Sequence, residues 1–247
     1  MSRETMTAAD HRSPDALWTA AVVGSLVSGT YLLPALSYYL PQLRSALGIS
    51  RTTLDGRGFA LTFDDGPHRL GTPAVLAELA RREARATFFL VGEQVARDPG
   101  LAREVVDAGH EIGLHCDRHR NLLRLGPRAV AQDIARARAR IEDSTGRAVE
   151  RYRPPYGIFN AAAIAIAKRN GWRPLLWTHW GRDWESSATP QSIAQRLVGG
   201  EVADGSVLLL HDADDYGAAN SWQRTVAALP LILDELAGRG LQPSVAV

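Results

Sequence analysis

The chain has 247 residues, a formal net charge of +1 and 45% apolar side chains. Length and apolar content suit a single domain able to bury a sizeable core. The near-neutral balance argues against nucleic acid as the main partner, since phosphate binding calls for a strong basic excess. A single cysteine, Cys116, excludes an internal disulfide.

Residues 1–15 are a polar tail of mixed charge, and from Ala16 to Leu43 no residue is charged. Twenty such residues as a helix span a bilayer core of roughly 30 Å. Trp18, Tyr31, Tyr38 and Tyr39 lie near the ends of the run, where amphipathic rings favour the membrane interface. The sequence therefore predicts a membrane anchor over 16–43, kinked or ended at Pro34 and Pro41, and a cell-envelope location. The alternatives are a buried helix packed on the following domain, or a soluble or secreted form. Gly24, Ser25, Ser28 and Gly29 make the run only moderately apolar. Basic residues flank it on both sides, so its orientation is not set. Residues 44–57 read as a polar, basic linker containing Gly48 and Gly56.

From residue 58 to 247 short apolar runs alternate with helical patterns. Strands are predicted over Phe59–Phe63, Ala86–Val91, Glu111–Leu114, Val149–Arg153, Pro174–Thr178, Ser206–Leu210 and Leu241–Val247. Helices are predicted over Thr72–Arg82, Pro99–Ala108, Pro127–Ser144, Asn160–Arg169, Pro190–Val198 and Ser221–Ala237. In the third helix Val130, Ile134, Ala137 and Ile141 share one face, with Pro127 at its first turn and Gly146 beyond its end. Ser206–Leu210 is apolar throughout, as a strand covered on both faces requires. The alternation predicts α/β architecture with a parallel sheet, closed or nearly closed into a barrel.

The reactive residues cluster just after predicted strands, where barrel enzymes place their sites. In Thr62-Phe63-Asp64-Asp65-Gly66-Pro67 two adjacent carboxylates repel unless a cation or proton intervenes, although the segment also suits a solvated acidic turn. In His115-Cys116-Asp117-Arg118-His119 two imidazoles four apart would share one face of a helical turn and could chelate a transition metal. Arg153-Pro154-Pro155-Tyr156-Gly157 is a stiff loop whose arginine can hold a carboxylate. Trp180-Gly181-Arg182-Asp183-Trp184 offers aromatics around an acid, suited to a sugar or to a core. Leu208-Leu209-Leu210-His211-Asp212 carries an imidazole out of a buried strand. Asp212, Asp214, Asp215 and Tyr216 read as a solvated acidic rim, and Arg136, Arg138 and Arg140 as a solvated helix face.

Together and in this order, the five segments resemble those of the polysaccharide deacetylases (NodB homology, carbohydrate esterase family 4), over about residues 58–247. The resemblance implies a distorted (β/α)7-8 barrel of NodB type as the catalytic domain, behind an N-terminal hydrophobic helix. It implies a hydrolase that removes acetyl groups from N-acetylated sugars of a polysaccharide or glycoconjugate. Asp65, His115 and His119 would bind one divalent metal, zinc by ligand type. Asp64 would be the general base and His211 the general acid. Asp183 would hold the His211 ring or pair with Arg153, which in turn tunes Asp64. The Tyr156 N–H would meet the oxyanion, and Trp184 and Leu209 would line the acetyl pocket. Cys116 stands where the family has serine or threonine, and as a thiolate it could become a fourth ligand. An O-acetyl carbohydrate esterase, or a non-catalytic glycan-binding protein on the same scaffold, are the alternative readings.

Overall fold

The computed structural model describes residues 29–53 and 56–244. After the helical residues 29–32, helix α1 covers Pro41–Leu47. Then come β1 (Phe59–Asp64), α2 (Gly71–Arg81), β2 (Thr87–Val91), α3 (Gly92–Arg97), α4 (Pro99–Asp107) and β3 (Glu111–Cys116). The second half holds α5 (Pro127–Thr145), β4 (Arg151–Tyr152), α6 (Ala161–Arg169), β5 (Arg173–Pro174), β6 (His179–Trp180), α7 (Pro190–Val198), β7 (Ser206–His211), α8 (Ser221–Gly238) and β8 (Pro243–Ser244).

Every named strand pair is parallel, in the spatial order β5-β4-β3-β2-β1-β7-β6, with β8 added to β1. β1, Phe-Ala-Leu-Thr-Phe-Asp, is buried at all six positions, as a central strand covered on both faces must be. Helices pack over it through apolar stripes. In α5 the stripe is Val130, Ile134, Ala137 and Ile141, all buried, and the helix ends on Gly146 in the left-handed region. α7 begins with a reciprocal cap between Thr189 and Ser192.

The sheet is an open parallel half-barrel rather than a continuous ring. The predicted strand Pro174–Thr178 is split. Arg173–Pro174 pairs with β4 at one edge, and His179–Trp180 pairs with β7 at the other. Residues 175–178 cross between the two edges, so one short segment serves both and neither piece exceeds two residues.

The uncharged run lies outside the described residues as far as residue 28. Its described part does not continue as one apolar helix. Leu33–Tyr38 forms a 3-10 helix with Pro34 at its start, and a new helix, α1, begins at Pro41. Among the described residues no helix is long and apolar enough to cross a membrane. Residues 44–57 are also less free than a linker. They include the end of α1, and Ser50 and Thr52 form bridges with Leu175 and Ser206. A polar, glycine-containing stretch can still pair its backbone with a sheet edge, and composition does not register that.

Candidate active site

The site forms at the C-terminal ends of the strands. The β1–β7 register sets Asp64 beside His211, and Thr62 beside Leu209. Side chains two apart share a face of a strand, so Thr62 and Asp64 point the same way. Asp65 should then point oppositely, but its backbone enters the left-handed region at φ 82°. That turn brings both carboxylates to one cavity, and aspartate tolerates it better than most residues do.

Arg153 is fully buried and grips this corner. It donates from Nη1 to Asp64 Oδ1 at 2.7 Å and to Thr62 Oγ1 at 2.9 Å, and from Nε to the Leu175 carbonyl at 3.1 Å. Its guanidinium carbon sits 4.1 Å from the Phe89 ring centroid. A buried charge needs such company. Removing one partner of a buried pair costs about 3–5 kcal/mol.

The second motif is not a helical turn. His115 lies on β3, and His119 follows in a loop. They converge because the loop folds back: the buried Asp117 accepts from Arg136 Nε at 2.9 Å and from Arg140 Nη1 at 2.7 Å, while its own N–H donates to Asp133 at 2.7 Å. Two arginines read as solvent-facing thus hold the loop from below. Asp65 Oδ1 is 3.5 Å from His115 Nε2 and 3.4 Å from His119 Nε2. That oxygen is buried with no hydrogen-bond partner, which is costly for a carboxylate. Burial, and then Arg153, hold the His115 imidazole down at about 3; burial, and then His115, do the same for His119. Both rings are therefore neutral, the form that binds metals. One carboxylate and two neutral imidazoles within 4.8 Å of one another fit a divalent cation.

Burial pushes the Cys116 thiol well above its ordinary value, so it stays protonated. It lies outside this ligand cluster. His110 is remote: its Nδ1 accepts from the Ala86 N–H at 3.2 Å, a structural role.

Across the cavity, His211 Nδ1 is 2.9 Å from Asp183 Oδ1. Asp183 Oδ2 accepts from the His211 N–H and from Thr225 Oγ1, both at 2.7 Å. Asp183 therefore partners His211, not Arg153. Burial alone would lower the imidazole, but Asp183 outweighs it and the His211 pKa stands at about 10. Asp212 is fully buried rather than a rim residue, and accepts from the Thr72 hydroxyl. A side chain at Gly66 would collide with its carboxylate.

The cavity between these groups measures about 190 Å³. Trp184 stands edge-on to His211 at 5.2 Å, and Leu209 forms part of the wall. Tyr156 sits at φ 60° in a turn whose hydrogen bonds run from Gly157 N–H to Pro154 O and from Ile158 N–H to Pro155 O. The Tyr156 N–H takes no part in them. Trp177, Trp180 and Tyr216 also line the cavity. Tyr216 lies flat on His119 at 4.3 Å and donates to Glu93 at 2.8 Å. Sequence reasoning singled out none of Thr62, Trp177 or Thr225. The signal for Thr62 was present, as a lone hydroxyl two positions before Asp64 in an apolar strand.

A parallel α/β half-barrel with carboxylates and imidazoles gathered at its strand ends is the architecture of the NodB-type carbohydrate esterases. The polysaccharide deacetylase family model matches residues 51–175, and the chain belongs to that family of hydrolases. A chitooligosaccharide deacetylase of Azorhizobium caulinodans is 34% identical over 81% of this chain and 99% of its own. A peptidoglycan-N-acetylglucosamine deacetylase of Bacillus cereus is 37% identical over 73% of this chain and 82% of its own. In three dimensions, a family 4 carbohydrate esterase from Streptomyces lividans, solved with acetate, superposes with a TM-score of 0.68. It is 32% identical, covering 76% of this chain and 92% of that one.

Proposed function

We propose that the protein is a metal-dependent N-deacetylase of acetylated glycans of the peptidoglycan or chitin type. The observation that carries this reading is the unpartnered Asp65 carboxylate facing two neutral imidazoles, with Asp64 and His211 beside it. Asp65, His115 and His119 would hold the ion, zinc by donor type. Bound there, it would supply Lewis acidity to the acetyl carbonyl and lower the pKa of a water molecule.

The remaining steps belong to side chains. Asp64, with Oδ1 held by Arg153, accepts the proton of the attacking water through its other oxygen. The Tyr156 N–H, not used by its own turn, donates to the oxygen that gains charge. His211, kept protonated by Asp183, passes its proton to the departing nitrogen. Trp184 and Leu209 enclose the acetyl methyl. The amide substrates in the relatives' names favour nitrogen over oxygen as leaving atom.

The test is acetate release from N-acetylglucosamine oligomers by protein stripped of metal and reloaded with zinc. Zinc should restore release, and Asp64→Asn should reduce it by on the order of 10²–10⁴. Release from O-acetylated sugars only would replace the amidase reading with the esterase one. Folded, zinc-loaded protein that binds glycan and releases nothing would point to the binding scaffold instead.

A further inference from the structure

A second depression, a groove of about 580 Å³, shares His119 and Tyr156 with the catalytic cavity. Leu125 and Ile158 form its apolar side, and Arg120, Asn121 and Arg124 supply its polar groups. No carboxylate lines it. Arg120 is committed, donating from Nη2 to the buried Asp133 at 2.6 Å. Asn121 is committed too, since its side chain accepts from the Leu123 N–H at 2.9 Å. Arg124 differs. It ends a 3-10 turn, is exposed, and its guanidinium has no hydrogen bond or ion pair among the described residues. The loop that borders the cavity through Tyr216 has the opposite character, carrying Asp214 and Asp215. Charge around the mouth is therefore uneven, with a free cation on the His119–Tyr156 side.

We infer that this groove is a subsite for an anionic substituent of the glycan, a carboxylate or a phosphate, with Arg124 as its charged contact. The inference rests on the deacetylase reading and narrows its substrate class. Because the groove starts at His119 and Tyr156, it takes a group joined to the sugar whose acetamide occupies the cavity, either directly or through the next sugar. A planar guanidinium pairs with either anion through two parallel N–H donors. A neutral chitin-type oligomer has nothing ionic to place there. A glycan bearing carboxylates on alternate sugars does, and so does a sugar joined to a diphosphate.

The experiment compares zinc-loaded wild type, Arg124→Glu and Arg124→Lys on three probes. These are neutral N-acetylglucosamine tetramer, a peptidoglycan fragment of equal sugar count carrying its carboxylates, and N-acetylglucosamine 1-diphosphate. In wild type kcat/KM should favour an anionic probe over the tetramer, and the preference should shrink as salt rises. Arg124→Glu should cut the anionic-to-neutral ratio about tenfold, while Arg124→Lys keeps most of it. The probe whose advantage disappears identifies the anion. A ratio in Arg124→Glu equal to that of wild type for both anionic probes overturns the subsite. If wild type releases no acetate from any probe, the deacetylase reading fails separately. Calorimetric affinities for the anionic probes then decide the subsite, which is lost if Arg124→Glu binds them as tightly as wild type.

Discussion

His211 owes its proton first to Asp183, with the Asp65 and Asp64 carboxylates adding to it. Burial in a cavity wall drives an imidazole towards the neutral form, and here Asp183 reverses that outcome. Asp183 is itself fully buried and held on both oxygens, so it cannot turn away. Replacing it with asparagine keeps the shape and removes the largest raising influence, leaving burial opposed only by Asp65 and Asp64. In Asp183→Asn the alkaline limb of the kcat/KM profile should therefore move to lower pH by about 1–3 pH units, because the acid form of His211 is lost sooner. An alkaline limb that stays in place would assign the proton donor elsewhere. The same linkage acts on stability. Folded His211 holds its proton above the ordinary 6.5, so its contribution is fully present below that pH and is lost as pH rises through about 10. Urea unfolding of metal-free protein at pH 6 and pH 10 should show this loss in wild type and little of it in Asp183→Asn. Thr225→Val removes one neutral donor and should cost about 1 kcal/mol. That Asp64, Asp65, His115, His119 and His211 gather at one cavity was legible because each sits in a short segment whose neighbours announce it. Thr225 lies 42 residues from Asp183 in sequence, and nothing local marks it.

Among the elements, those with a continuous apolar run or a periodic stripe were legible and those shaped by two masters were not. β1, β2, β7 and the capped helices matched their patterns within a residue or two. β5 and β6 did not, because the segment joining them answers to both edges of the sheet. His115 was misplaced on a helix because spacing alone cannot tell a turn from a strand end followed by a loop. The N-terminal segment shows a different ambiguity. An uncharged run reads the same whether its apolar side meets lipid or protein, and the described part of this one touches protein through Tyr31 and Tyr38 while Leu32, Leu33, Leu36, Tyr39 and Leu40 stay exposed. Tyr31 donates to the Leu125 carbonyl at 2.8 Å, and the Tyr38 ring lies 6.0 Å from Trp177 and 6.2 Å from Trp180. Those two tryptophans stack on each other at 5.9 Å and wall the cavity. Tyr38 thus packs against the aromatic wall of the cavity without lining it. Tyr38→Ala should raise KM roughly 2–10-fold, the worth of an aromatic contact, and lower kcat less. A fall in kcat at constant KM would contradict a role in positioning the wall.

At the scale of the molecule, the weak point of a half-barrel is the place where its edges fail to meet, and this chain puts its own residues 175–178 there. The carbonyls of that crossing cannot all pair with strands, and a buried carbonyl left alone is costly. Two arginines serve them. From inside, Arg153 donates to Leu175 O at 3.1 Å and Leu176 O at 3.4 Å with the same guanidinium that holds Asp64. From the N-terminal segment, Arg51 donates to Trp177 O at 2.5 Å and Thr178 O at 3.4 Å, with its guanidinium carbon 5.4 Å from the Tyr38 ring centroid. Closure of the sheet and placement of Asp64 are therefore one arrangement, and residues 29–53 belong to it although they precede the first strand. The two arginines should fail differently. Arg153→Met leaves Asp64 buried and unpaired, so it should lose about 3–5 kcal/mol and the activity together. Arg51→Ala removes two hydrogen bonds and a ring contact at a half-buried site. It should cost about 1–2 kcal/mol, lowering the melting temperature by about 2–8 °C, while the folded protein still binds zinc. A chain that starts at residue 58 loses Arg51, Tyr38 and the two bridges at once, and should melt lower than Arg51→Ala does. If that shortened chain melts with the full-length protein, the N-terminal segment is a passenger, and closure rests on Arg153 alone.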